Sequence, residues 1–291
     1  MCKFSLETAE KRGEMLQELK ELYRYRELIV NLVIRDLKVR YKNSAIGFLW
    51  SLANPIIQAA TITVIFKFVL GIKIPNYSAY LFCAYLVWGF FYYSVLDACD
   101  SILLHGGLVK KTYFPREVMP ISVCISNLIH FCLAMVVFFL YVLLYLKAPV
   151  LVTWLMLPVL IFIQFFYHLG LAFFMSCANV FYEDVKYMAM AFLNLVFYAM
   201  PVIYPIEKVY YSEFVPGPYK ELVYYLYMLN PLSYLITAYR KTLLEPMNVK
   251  EFPDFALNYG FLGIAFVVSL IFCIAGYAFF NSRKWQFVEK L

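Results

Sequence analysis

The chain has 291 residues, of which 64% are hydrophobic and 20% aromatic, and its formal net charge at pH 7 is +6. Globular domains are roughly half apolar, so this composition excludes an ordinary soluble fold. It predicts an all-α polytopic membrane protein. The amino-terminal stretch is charged and polar, unlike a cleavable signal peptide, which has an apolar centre.

A charged segment, residues 1–44, precedes the first long apolar run and is predicted to be cytoplasmic. Residues 18–42 are expected to form an amphipathic helix along the membrane surface. Polar side chains recur at steps of three and four on one face (Arg24, Glu27, Asn31, Arg35, Lys38, Lys42), and apolar side chains lie opposite (Leu22, Ile29, Val33, Leu37). The helix is either a plain anchor or also a contact for a cytoplasmic partner. Arg26 and Arg40 favour the partner, because each interrupts the apolar side and requires an acceptor or a route to water.

Six apolar segments are long enough to cross a membrane, since a helix needs roughly 20 residues to traverse about 30 Å of hydrocarbon. They are residues 47–71, 79–99, 121–146, 150–178, 187–204 and 259–280. Together they predict a transmembrane domain over residues 45–281, followed by a cytoplasmic tail at 282–291. Pro55 is expected to kink the first helix, because it removes one backbone hydrogen bond.

The distribution of basic residues predicts the orientation of these segments. An even number of crossings places both termini on one side of the membrane. Of the 25 Lys and Arg residues, 17 fall in the termini and in the loops of that side. By the positive-inside rule, both termini are therefore expected in the cytoplasm.

The loop at residues 100–120 contains the most distinctive sequence of the chain, LVKKTYFPREVMP. Gly106 and Gly107 are expected to break the preceding helix before a short amphipathic piece, and Pro115 to break it again. The loop would then present exposed charges and an aromatic pair, which suits a protein pocket. The alternative is a basic loop that only maintains topology. The candidate contact residues are Lys110, Lys111, Tyr113, Phe114, Pro115, Arg116 and Glu117.

No motif in the sequence predicts a catalytic, nucleotide or metal site. The phosphate-binding pattern G-x-x-x-x-G-K-S/T does not occur, and no two of the seven cysteines have C-x-x-C spacing. Proton-coupled transport would require carboxylates in the middle of the apolar segments, and none occurs there. His130 and His168 do lie there and are expected to form interhelical hydrogen bonds. The sequence thus favours transport driven by an ATPase partner over transport driven by protons.

The aromatic content is high, with 26 tyrosines and 28 phenylalanines. Aromatic rings concentrate at the two membrane interfaces and pack helices well, which accounts for most of them. Rings can also support sugars while tyrosine hydroxyls donate hydrogen bonds, as a path for a glycan would require. Candidates for such a path are Tyr80, Tyr85, Tyr92 and Tyr93.

The longest loop, residues 205–258, is predicted to lie outside the cell. Asn230 and Pro231 form a typical helix start, as the N-cap and the first helical residue. The helix of about 14 residues that follows is too short to span the bilayer. With the aromatic segment 219–228 before it, it predicts a re-entrant or interfacial pair of helices.

Three segments, KNSAIGFLWSLANP, LVKKTYFPREVMPIS and FYAMPVIYPIEKV, resemble the permease subunits of bacterial polysaccharide-exporting ABC transporters. This is the O-antigen, capsule and teichoic-acid group of the ABC-2 superfamily. The resemblance implies a homodimeric permease in the cytoplasmic membrane, joined to two cytoplasmic ATPase subunits that bind ATP and Mg. It would move a polyprenyl-linked polysaccharide outward, in contact with membrane lipid. The chain itself would carry no cofactor, no enzyme activity and no nucleic-acid site.

The resemblance also implies roles for particular residues. The interface helix would contain Arg35, Arg40 and Tyr41, with Ile46 and Gly47 in the loop before the first span. Residues 101–114 would supply a gate and a coupling helix. In the loop FYEDV at 181–185, the family commonly has arginine followed by aspartate. Asp184 fits this pattern, whereas Glu183 reverses the charge of the arginine.

Two other functions remain open from the sequence. One is an ABC-2 exporter of a lipid or small amphiphile, for which a large folded outer domain would be expected. The roughly 54 residues of the outer loop are too few for one. The other is a membrane-embedded enzyme that modifies glycans. Such an enzyme would need acid, base or metal groups clustered at one membrane face, and the sequence contains no convincing cluster.

Overall fold

The computed structural model describes residues 20–41, 48–69, 71, 74–213, 215–246 and 253–290. Every regular element in these ranges is helical, which confirms the all-α class. Ile46 and Gly47, expected just before the first span, lie outside the described residues.

The α-helices are α1 (Arg26–Tyr41), α2 (Phe48–Val64), α3 (Tyr77–Asp100), α4 (Gly106–Lys111), α5 (Val118–Leu140), α6 (Leu157–Phe181), α7 (Asp184–Ala199), α8 (Ile206–Tyr210), α9 (Lys220–Leu229), α10 (Pro231–Leu243), α11 (Tyr259–Arg283) and α12 (Phe287–Lys290). The wider π-turns Ile65–Val69 and Tyr141–Tyr145 extend α2 and α5. Short 3-10 turns occur at Leu103–His105, Val152–Met156, Gly217–Tyr219 and Lys284–Gln286.

Four helical stretches are long and apolar enough to cross a membrane: Tyr77–Asp100, Val118–Tyr145, Val152–Phe181 and Tyr259–Lys290. They correspond to the second, third, fourth and sixth of the predicted segments. In place of the fifth predicted segment, 187–204, the structure has α7, which contains 16 residues. At 1.5 Å per residue this helix rises about 24 Å, less than the thickness of the hydrocarbon layer.

The helix α3 is the centre of the bundle. Most of its side chains are buried, because α2, α5, α6, α7 and α10 all pack against it. A continuous apolar cluster runs from α3 into α5, α6 and α10. Residues that line any space along α3 are therefore held by packing on several sides.

The helices α6 and α11 cross at close range through two glycines. A Cβ atom added to Gly276 would overlap the carbonyl of Gly170, and one added to Gly170 would overlap the backbone of Phe272. Small residues at such a crossing allow backbones to approach and gain van der Waals contact, which drives helix association in lipid. No larger residue fits at either position without separating the two helices.

The short helix α10 is enclosed by protein rather than lying on a surface. Residues 231–240 are all buried, and the helix packs against α3, α6 and α11. Asn230 caps it as expected, since its Oδ1 accepts hydrogen bonds from the backbone N–H groups of Leu232 (3.0 Å) and Ser233 (3.4 Å).

The amino-terminal helix α1 packs against α5. Leu32 is buried in a cluster with Ile102, Val109 and other apolar residues. Val33 of the predicted apolar face is also buried. Three further apolar side chains of α1, Val30, Ile34 and Val39, are exposed. The helix is therefore apolar on more of its circumference than a single-faced amphipathic pattern predicts.

Candidate functional site

Two cavities meet at one group of polar side chains. The first, of about 320 Å³, is lined by Arg40, Asn54, Pro55, Tyr85, Leu86, Gly89, Phe90, Tyr93, Asp97, Asn127, His130, Phe131 and Ala134. The second, of about 520 Å³, is lined by Arg35, Asp36, Val39, Arg40, Asp97, Asp100, Ser101, Leu104, His105, Val123, Ser126 and Asn127. Arg40, Asp97 and Asn127 belong to both linings, so they form the boundary between the two spaces.

These three side chains form a closed hydrogen-bonded triangle. Arg40 Nη2 donates to Asp97 Oδ2 at 2.8 Å and to Asn127 Oδ1 at 2.9 Å, and Asn127 Nδ2 donates to Asp97 Oδ2 at 3.0 Å. Each side chain comes from a different helix: α1, α3 and α5. Charge assistance strengthens the contacts to the carboxylate. The triangle therefore ties the amino-terminal helix to two helices of the bundle.

The ion pair within the triangle is partly accessible to water. The Arg40 and Asp97 side chains keep 28% and 38% of their surfaces exposed. Ion pairs this accessible contribute only about 0–1 kcal/mol, because water can replace the partner. Small movements of α1 can therefore separate the pair at little energetic cost. Arg40 also gains the acceptor that its place in the sequence requires.

The first cavity combines aromatic faces with hydrogen-bonding groups. Tyr85, Phe90, Tyr93 and Phe131 supply rings, and Asn54 and His130 supply polar groups, as part of the lining given above. This mixture suits a ligand with both C–H faces and hydroxyl groups. The cavity thus offers aromatic faces and hydrogen-bonding groups side by side.

The four tyrosines predicted for a substrate path separate into two groups. Tyr85 and Tyr93 line the first cavity. Tyr92 stacks edge-on against Tyr93 at 5.5 Å and is absent from that lining. Tyr80 is buried elsewhere, beneath the guanidinium of Arg240. Helical periodicity distinguishes faces of a helix, but it does not indicate which face borders a cavity.

The predicted contact loop divides between an outer and an inner part. Lys110, Lys111 and Tyr113 are exposed, the last to 80%. Phe114 is buried at 8% exposure and packs with Ile102 and Val109. The expectation that both aromatic rings protrude is therefore wrong for Phe114, whose burial satisfies its hydrophobicity inside the protein.

Two backbone expectations for this loop also need correction. The preceding helix ends at Asp100, and a 3-10 turn covers Leu103–His105. Gly106 and Gly107 do not break a helix; they begin the six-residue helix α4. Pro115 follows an extended segment that starts at Thr112, so α4 ends before the proline, as proline disfavours a helical residue ahead of it.

The remaining loop residues are engaged by the carboxyl-terminal tail. Lys284 Nζ lies 2.6 Å from Glu117 Oε1, and the two side chains are only 11% and 2% exposed. Arg116 donates a hydrogen bond to the backbone carbonyl of Lys284. Partial burial lowers the pKa of the Arg116 guanidinium, an effect that the neighbouring Glu117 charge opposes. Glu117 is thus an internal anchor rather than an exposed contact residue.

The first turn of α7 adds a second basic partner to the end of α3. Lys186 Nζ lies 2.5 Å from Asp100 Oδ2. Asp184 is exposed in the first turn of α7, where a negative charge favours the positive end of the helix dipole. The sequence singled out Asp184, but the residue that contacts α3 is Lys186.

A buried arginine joins α10 to the chain that follows α7. Arg240 is 3% exposed, and its guanidinium lies 3.6 Å from the ring centroid of Tyr80. It donates to the Tyr80 carbonyl (3.1 Å), to the Pro201 carbonyl (2.5 Å) and to the Val202 carbonyl. The segment after Ala199 is not helical and its carbonyls are buried, so they need side-chain donors. Arg240 supplies them.

Neighbouring charges reinforce this arrangement. Lys241 Nζ contacts Glu207 Oε1 at 2.6 Å and Asp254 Oδ1 at 2.8 Å. The sequence signal was available, because Arg240 and Lys241 are adjacent cations in an otherwise uncharged helix, and buried charges require partners. Their partners, up to 160 residues away in sequence, could not be inferred.

One histidine prediction is wrong. His168 is fully buried, and neither ring nitrogen has a hydrogen-bond partner among the described residues. Its ring instead packs edge-on against Phe90, with centroids 4.4 Å apart. The part of the chain that the structure describes also contains no group of three His, Cys, Asp or Glu side chains able to hold a metal ion.

These features define an all-helical membrane protein whose bundle encloses an aromatic cavity beside a polar junction. The family profile described as ABC-2 type transporter matches residues 27–244. The chain belongs to this family of transporter membrane subunits.

Two relatives align with nearly the whole chain. The O-antigen export system permease protein RfbA of Klebsiella pneumoniae is 31% identical over 266 residues, which cover 91% of this chain and 95% of the relative. The protein of the same name from Myxococcus xanthus is 30% identical over 279 residues, covering 95% and 100%. The resemblance seen in the three sequence segments is thereby confirmed.

Proposed function

We propose that this chain is the permease subunit of an ATP-driven exporter that moves a polyprenyl-linked polysaccharide across the bacterial cytoplasmic membrane. The observation that carries the proposal is the similarity, over nine-tenths or more of the chain, to two permeases named for O-antigen export. The aromatic cavity with interspersed polar groups supports a glycan as the substrate. The described residues of 205–258 form short helices that pack on the bundle, which disfavours the lipid exporter with a large outer domain.

The proposed assembly has two copies of the chain and two cytoplasmic ATPase subunits, which bind ATP and Mg. Each chain crosses the membrane six times, with both termini in the cytoplasm. The fifth crossing consists of α7 and the non-helical residues after it. Non-helical backbone is tolerated at membrane depth where protein satisfies it, and Val202 and Ile203 are buried there beside Arg240.

The proposed mechanism transmits movement from the contact loop to the junction between the cavities. ATP binding in the partner displaces α4 and the exposed Lys110, Lys111 and Tyr113. Movement then passes to α1, because Leu32 of α1 packs in the same cluster as Val109 and Phe114 of the loop. A shift of α1 separates Arg40 from Asp97, and this joins the two cavities into one path.

The test combines export with its energy source. The chain and its cognate ATPase are produced together in cells that make the lipid-linked glycan, and glycan at the outer surface is measured. We expect export to require both subunits and an ATPase able to hydrolyse ATP. Absence of nucleotide-dependent export from the intact pair would overturn the proposal.

A charge-reversal series identifies the coupling surface. Replacing Lys110, Lys111 and Arg116 together by glutamate is expected to abolish glycan-stimulated ATP hydrolysis, because the basic surface formed by the exposed Lys110 and Lys111 and the half-buried Arg116 then repels its partner. The matched control replaces Lys208 and Lys220 by glutamate, on the opposite side of the proposed topology. Unchanged coupling in the first variant would show that the loop does not carry it.

A further inference from the structure

A groove lies where three distant parts of the chain meet: the loop 100–120, the amino-terminal helical segment and the tail. It has a volume of about 120 Å³, and its lining includes Leu22, Tyr113, Pro115, Arg116 and Trp285. Tyr113 and Trp285 are 80% and 65% exposed. Two large rings thus border one concave surface without being buried by it.

The groove is a fixed feature of the fold because its parts are anchored beneath the surface. Glu117 and Lys284, which belong to its lining, form a buried ion pair. Phe114 and Phe287, the apolar neighbours of the exposed rings along the loop and tail, are buried in one cluster. The tail and the loop therefore form one unit. Internal packing does not bury the rings of Tyr113 and Trp285, so both rings are available to contact another molecule.

The charge around the groove indicates the chemistry of its partner. Lys110 and Lys111 are exposed on α4, and the Arg116 guanidinium lies 5.9 Å from the ring centroid of Trp285. The lining also contains the exposed carboxylate of Glu21, whereas Glu117 is paired with Lys284, so basic groups outnumber exposed acidic ones around the groove. An acidic surface with one protruding apolar side chain complements this arrangement. The partner's protruding apolar side chain would fill the concave space, and its carboxylates would pair with the basic rim. A flat lipid surface would leave the concave space unfilled.

We infer that this groove is a docking site for the ATPase subunit, with Trp285 of the tail as an anchor alongside the loop. The inference rests on the proposed function, since it names a second contact for the partner proposed there. It extends the coupling surface from the loop to the carboxyl-terminal tail. Movement of the ATPase would then act on the bundle through two helices, α4 and α11.

Site-specific photo-cross-linking tests the contact in the complete complex. Benzoyl-phenylalanine replaces Lys110, Trp285 or, as an exposed control, Tyr219 in separate full-length chains produced with the cognate ATPase. We expect cross-links to the ATPase from positions 110 and 285 and none from 219. Cross-linking from 110 alone would overturn the groove inference and leave the proposed function intact. Cross-linking to lipid alone at 285 would identify a membrane anchor instead, and no ATPase cross-link from any position would contradict the proposed partnership itself.

The affinity of the ATPase for purified permease provides a quantitative test. Trp285→Ala is expected to weaken it about fivefold or more, as truncation of an aromatic anchor does, whereas Trp285→Phe should retain most of it. Tyr219→Ala, which removes an exposed ring elsewhere, should leave affinity within about twofold. Equal affinities for Trp285→Ala and the unmodified chain would overturn the inference, provided that both elute as the same folded species.

Discussion

Arg40 of α1 and Asp97 of α3 form an ion pair of 2.8 Å, although 57 residues separate them in sequence. The pair stands at the boundary of two cavities and shares Asn127 as a common hydrogen-bond partner. Its position brings the amino-terminal helix to the lining of both cavities. The partial exposure of both side chains would allow one contact both to close the proposed path and to yield to movement.

Arg40→Met should reduce export strongly while leaving the protein folded. The pair contributes at most about 1 kcal/mol to stability because it is accessible to water, so the melting temperature should fall by only a few degrees. We expect an export rate at least about tenfold lower, because a junction that has lost its closing contact no longer couples the ATPase cycle to one-way movement of the glycan. Export is measured as surface glycan over time, and thermal unfolding is measured on purified protein.

The charge-swapped double variant Arg40→Asp/Asp97→Arg is the control for this prediction. It restores opposite charges across the same gap and should recover part of the export lost in each single variant. Full export by Arg40→Met alone would exclude the pair as a gate.

Gly276→Ala should destabilise the bundle, because the added methyl group meets the carbonyl of Gly170. Overpacking of this kind costs about 1–3 kcal/mol, since two helices must separate to accommodate it. The melting temperature of the purified protein measures the effect. Gly263→Ala is the matched control on the same helix, where a Cβ atom meets nothing within 4 Å. That change should be neutral or stabilising by up to about 1 kcal/mol. Equal melting temperatures for the two variants would contradict the close crossing.

Local patterns in the sequence predicted the helices well and their partners poorly. Apolar length located the long helices, and the Asn230–Pro231 pair predicted the start of α10 correctly. The same patterns could not predict that Lys284 meets Glu117 across 167 residues, since periodicity defines a face but not what that face contacts.

Tyr113 and Phe114 show the same limit for two adjacent residues. Adjacent side chains of an extended backbone point in opposite directions. The ring of Phe114 is therefore buried in the core, and the ring of Tyr113 is exposed on the surface.

Lys284→Met should destabilise the protein and uncouple the tail from the loop. It leaves the Glu117 carboxylate buried without its cation, and breaking a buried pair in this way costs about 3–5 kcal/mol. The double variant Lys284→Met/Glu117→Gln removes both charges and should recover much of that loss. Melting temperatures of the two variants measure the difference.

Lys290→Met is the control, because it alters an exposed lysine of the same tail. It should change stability by no more than about 0.5 kcal/mol. A single variant as stable as the double would show that the pair is not buried as described.

Arg240→Lys should be almost as damaging as Arg240→Met, despite keeping the positive charge. The guanidinium serves three carbonyls and the Tyr80 hydroxyl from one planar group, and a lysine ammonium cannot reach all of these acceptors at once. Each buried carbonyl left without a donor costs about 1–3 kcal/mol. We therefore expect a loss of several kcal/mol, measured by thermal unfolding, together with faster proteolysis of the non-helical segment after α7. Lys208→Met, an exposed cation nearby in sequence, should leave both measurements unchanged. Wild-type stability of Arg240→Lys would mean that charge alone, and not the geometry of the guanidinium, holds this segment in the bundle.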